Sequence, residues 1–93
     1  MNFYKWIDTI RTTDPRYLAY RKNSVYINNL IAICTNKLEI DHYHCKALFI
    51  RAGSYLKVSL YEKAINDCET LLQLDEFNVG ALYIKGCAYD KIE

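Results

Sequence analysis

A nine-residue pattern occurs twice in this chain, and the two copies start 34 positions apart. Ala47-Leu48-Phe49-Ile50-Arg51-Ala52-Gly53-Ser54-Tyr55 is echoed by Ala81-Leu82-Tyr83-Ile84-Lys85-Gly86-Cys87-Ala88-Tyr89. The same shift pairs Leu30 with Ala64, Cys34 with Cys68, and Ile40-Asp41 with Leu74-Asp75. A fixed period of this length in a helical chain is the mark of stacked structural units.

The chain reads as helical throughout. Its 93 residues hold three Gly and one Pro, too few breakers for a turn-rich β fold. Residues 45–57 and 61–74 read as two amphipathic helices joined by Val58-Ser59-Leu60. Ala52 and Ala64 are small enough to let those helices approach closely. Asn78 is suited to cap the next helix, which starts at Val79. Upstream, Tyr26, Ile27, Leu30, Ile31, Ile33, Cys34 and Leu38 form a broad apolar stripe, predicting a buried helix over Val25–Leu38. Asp14-Pro15 is a helix start, so a further helix over Pro15–Lys22 is predicted. Asn23-Ser24 either breaks that helix or lets it run on. Phe3, Trp6, Ile7 and Ile10 share one face of a first helix over residues 2–11.

On these residues the chain resembles the tetratricopeptide repeat (TPR) family. Leu48, Ala52, Tyr55, Ala64 and Cys68 fall at the family spacings within 45–78, and Leu82, Gly86 and Tyr89 begin the pattern again. Arg51 and Lys85 depart from it, standing where Leu is usual. Cys68 replaces an aromatic, and Glu76 replaces Pro. The resemblance implies an all-α fold of antiparallel helix hairpins, stacked as a right-handed superhelical solenoid of about five to six helices. The expected organisation is a helical extension over 1–24, a degenerate repeat helix over 25–44, one complete repeat over 45–78, and the first helix of a second repeat over 79–93.

Composition narrows the function. Twelve basic and eleven acidic residues give a net charge of +1, with no electrostatic footprint for nucleic acid. No apolar run is long enough to span a membrane, and the N-terminus lacks the apolar core of a secretory signal. An intracellular, cytoplasmic protein with reduced cysteines is expected. There is no phosphate loop or nucleophile motif, so an enzyme is not expected, nor is a cofactor. Glu62, Asp67 and Glu69, beside Lys63, read as a solvated helix face. His42, His44, Cys45 and Cys34 are zinc-ligand types, but their spacing matches no standard site. His42 and His44 therefore read as exposed linker residues, and a small zinc-binding protein is the weakest alternative. Cys34 and Cys68 read as small packing groups.

The resemblance implies a non-catalytic protein–protein interaction module whose first helices line a concave groove for a partner's peptide or helix. Carried onto this chain, the groove positions are Lys46, Phe49, Ile50, Gly53, Leu56 and Lys57, then Tyr83, Ile84, Cys87, Asp90 and Lys91. The family's slots for Lys and Asn that grip a chaperone's terminal carboxylate hold Phe49 and Gly53, so that activity is not implied. The chain's own Phe3, Trp6 and Ile7 are an alternative filling for the groove. Leu82, Tyr89 and Ile92 form a face that needs a further repeat or a partner. An oligomer or complex subunit is expected, and the competing reading is a constitutive part of a large cytoskeletal or ciliary assembly.

Overall fold

The computed structural model describes the backbone of residues 15–92 and the side chains of residues 23–92. The expected helix over 2–11 lies outside the described residues. The described chain is all-helical, with four helices: α1 (Pro15–Ile40), α2 (Cys45–Lys57), α3 (Tyr61–Leu74) and α4 (Val79–Ile92). Each helix packs on the next, α4 also packs on α2, and the backbone of α1 approaches only α2. The short connections make successive helices antiparallel. The result is extended, 58 × 32 × 18 Å. Its radius of gyration is 16.8 Å, against about 12 Å for a compact chain of this length.

The first helix runs straight through Asn23-Ser24. Pro15–Lys22 and Val25–Leu38 are one helix of 26 residues, so the boundary expected at 24/25 falls inside α1. The same span was expected to hold four or five helices, depending on Asn23-Ser24, and holds four. Asn and Ser cost a helix only a few tenths of a kcal/mol each, and no Gly or Pro interrupts the run. At about 39 Å, α1 is roughly twice the length of α2 and overhangs it. The apolar stripe is also less buried than its pattern suggests. Cys34 and Leu38 are core residues, but Tyr26 is 64% exposed and Ile33 53%. A helix with one packing neighbour cannot cover so wide a stripe.

The sequence repeat is also a repeat of hydrogen bonds. Asp41 Oδ1 accepts from the Tyr43 N–H at 3.2 Å, and Asp75 Oδ1 accepts from the Phe77 N–H at 3.1 Å. The Asp41 carbonyl accepts from the His44 N–H, and the Asp75 carbonyl accepts from the Asn78 N–H. His44 Nδ1 then caps α2 by accepting from the Ala47 N–H at 3.1 Å, as Asn78 Oδ1 caps α4 by accepting from the Ala81 N–H at 3.0 Å. His44 is thus a half-buried cap and not an exposed linker residue. To accept, its Nδ1 must carry no proton. Replacing either cap residue by Ala is expected to cost about 1 kcal/mol, whereas His44→Asn retains stability because it supplies the acceptor used at Asn78. Urea denaturation of the three variants checks this.

The α2–α3 turn closes with a Schellman motif. Leu60 N–H donates to the Tyr55 carbonyl and Ser59 N–H to the Leu56 carbonyl. Ser59, at φ 65°, occupies the left-handed position that usually belongs to Gly. Relieving that strain predicts that Ser59→Gly raises stability, by up to about 1 kcal/mol after the added flexibility of the unfolded chain is counted. A thermal melt showing a lower midpoint would contradict it.

Small residues set the helix spacing. Ala52, Ala64, Cys68, Ala81 and Ala88 are completely buried. Leu48, Leu71, Cys34, Leu38 and Ile84 fill the remaining core.

Candidate interaction groove

The overhang of α1 creates a concavity. Asn23, Tyr26, Ile27 and Leu30 of α1 face Phe49, Ile50, Gly53, Ser54 and Lys57 of α2, with Ile84 of α4 at the far side; the cavity is about 470 Å³. Asn23, Tyr26, Ile27 and Leu30 fall three or four residues apart, so one helical face supplies the α1 wall. Phe49, Ile50, Gly53 and Lys57 do the same on α2. The lining is mainly apolar. Ser54 is not a free donor, because its hydroxyl donates to the Ile50 carbonyl at 2.7 Å. Gly53 lines the groove, and Gly80 lies behind the Phe49 ring. A Cβ on Gly53 would make ordinary contact with Ile84, whereas one on Gly80 would collide with the Phe49 ring. The missing side chain at Gly80 therefore lets Phe49 lie against the first turn of α4.

Of the expected groove residues, Phe49, Ile50, Gly53, Lys57 and Ile84 come together. The others do not line this cavity. Leu56 is partly buried and packs against the hydrophobic core instead. Lys46, Tyr83, Asp90 and Lys91 are exposed outside it, and Cys87 is half-buried. The α1 wall was missing from the sequence assignment. Its signal was the width of the α1 stripe, which exceeds what one neighbour can bury.

A second cavity of about 320 Å³ continues from the first. It shares Asn23, Ile27 and Lys57 and adds Ser24, Asn28, Val58 and Ser59. Here polar and apolar surface contribute about equally to the lining.

Elsewhere, a charged network ties three helices together. Arg51 donates to Asp67 through Nε (2.8 Å) and Nη2 (2.6 Å), and through Nη1 to Thr35 Oγ1 at 3.3 Å. The hydrogen bond to Asp67 is the main cause that raises the pKa of Arg51. Asp67 is 5% exposed, so it is a buried partner and not part of a solvated face. The guanidinium also lies 5.6 Å from the centre of the Tyr55 ring.

Cys34 and Cys68 are buried in the core. Burial raises both thiols, Cys68 to about 11. They stay protonated near neutral pH and act as apolar filling. Among the described residues no three His, Cys, Asp or Glu side chains gather as metal ligands. No described helix is long and apolar enough to cross a membrane.

The last helix has an open face. Leu82, Tyr89 and Ile92 are each about half exposed. A Cβ at Gly86 would meet nothing within 4 Å. One period earlier, Leu48 and Ala52 occupy the corresponding positions and are buried.

Comparison with known families, characterised proteins and solved structures found no match. The TPR resemblance therefore rests on this chain's own residues.

Proposed function

We propose that this chain is a non-catalytic, TPR-like interaction module that holds a peptide or helix of a protein partner in the α1–α2–α4 groove. One observation carries the reading. The 34-residue sequence period coincides with a repeated set of turn and cap hydrogen bonds, and the helices it spaces enclose a mainly apolar concavity. Apolar grooves of this kind suit amphipathic segments. The right-handed solenoid belongs to the same proposal, as does an intracellular setting. The latter draws support from four free cysteines, Cys34, Cys45, Cys68 and Cys87.

Calorimetric titration of partner peptides against the protein and its Phe49→Ala variant tests the groove. A loss of affinity with unchanged helicity is expected. Unchanged affinity for every peptide that binds would remove Phe49, and with it this groove, from the binding surface.

The open α4 face favours a second reading, that of a constitutive subunit. Its apolar Leu82, Tyr89 and Ile92 would then be covered within a larger assembly. Sedimentation of the isolated chain as a stable, fully helical monomer would count against this reading.

A further inference from the structure

We infer that the groove selects an acidic amphipathic segment of a partner protein. This rests on the groove reading above and adds the chemistry of the occupant. The observation is a charge asymmetry that the overall balance of +1 conceals.

The two helices that supply most of the groove lining lack acidic residues almost completely. Over Pro15–Ile40, α1 carries Arg16, Arg21, Lys22 and Lys37 against a single acid, Glu39 near its end. Across Cys45–Lys57, α2 carries Lys46, Arg51 and Lys57 and no acid. By sequence the two helices carry seven basic residues against one acidic residue, Glu39, and Arg51 is paired with Asp67 of α3. Acids outnumber bases in the second half of the chain. Residues 61–92 hold six acidic residues and three basic ones.

Lys57 puts this asymmetry into the groove. It lines both cavities, at the point where the apolar lining meets Asn23, Ser24, Asn28 and Ser59. Its side chain is exposed, so a ligand can reach it. A segment with apolar residues over Phe49 and Ile50 and a carboxylate toward Lys57 matches both compartments. Complementary potential also speeds encounter and rejects like-charged competitors. Nucleic acid shares the negative charge but not the apolar surface that most of this lining demands.

The test uses three synthetic, fluorescein-labelled peptides on one amphipathic pattern of Leu, Phe and Ala. Their polar positions are all Glu, all Gln or all Lys. Fluorescence polarisation is expected to rank Glu above Gln, with the Lys peptide weakest. Added salt should weaken the Glu peptide most. Lys57→Glu should reduce affinity for the Glu peptide by about five- to tenfold and leave the Gln peptide unchanged. Equal binding of all three peptides, no binding of the Glu peptide, or indifference to Lys57→Glu would overturn the inference. Displacement of the Glu peptide by oligo-dT would also overturn it, in favour of nucleic acid. Phe49→Ala separates the two levels of the reading. Weakening of both the Glu and Gln peptides keeps the groove, even where charge selectivity fails. If Phe49→Ala leaves both peptides bound as before, the groove itself is wrong. Circular dichroism confirms that each variant remains helical.

Discussion

Arg51→Leu is expected to lower the unfolding free energy by about 3–5 kcal/mol, although Leu is the residue that the family pattern favours at this site. The cause is the group left behind. Asp67 is buried, and both its carboxylate oxygens accept from Arg51. Leu offers no donor, so a buried charge loses its partner. The reverse deletion is milder. The Arg51 side chain keeps 20% exposure and can turn its guanidinium toward water. Asp67→Ala is therefore expected to cost about 1–3 kcal/mol. Removing both charges, as Arg51→Leu with Asp67→Ala, should recover most of the loss, because paired apolar replacements of buried ion pairs are often close to neutral. Urea denaturation of the four proteins measures this cycle. Equal costs for the two single variants, or additive costs in the double variant, would contradict the account of the pair.

Leu71→Ala should cost about 2–5 kcal/mol through lost burial and the cavity it leaves. Leu71 is 1% exposed and lies in the core cluster, on the helix that packs against both α2 and α4. A chain of this size has a total stability of only about 5–14 kcal/mol. The variant should therefore melt much earlier, and a fraction of it should be unfolded at ambient temperature. Leu74→Ala, on the same helix but 45% exposed, is the control and should cost less than about 1 kcal/mol. Comparable losses for the two variants would mean that α3 does not sit as described.

Much of the fold was legible because the period acts on several levels at once. It marked the start of α4 from residues that reappear 34 positions on, while helical periodicity predicted the bounds of α2 and α3 and residue type the cap at Asn78. Where that internal comparison was weak, the reading stayed open. Asn23-Ser24 has no second copy to compare with, and its modest helix cost was outweighed by the continuous run around it. His44 stands one period before Asn78, so the comparison was available, but side-chain type pointed to a metal ligand or a linker. Asp67 was misread, and its partner Arg51 missed, for another reason. Each is unremarkable on its own helix, and their pairing depends on how α2 meets α3, which no single-helix pattern contains. The groove was half legible. The α2 positions followed from the resemblance, whereas the α1 wall depends on the overhang of a helix whose continuity at Asn23-Ser24 the sequence left open.

The most direct measurement of the central claim is site-specific photo-crosslinking with a benzophenone amino acid. It is placed in separate proteins at Phe49 and at Asn66, an exposed position on α3 that is absent from the groove lining. The account predicts a crosslink to a bound partner segment from Phe49 and none from Asn66. Efficient crosslinking from Asn66 with none from Phe49 would contradict it.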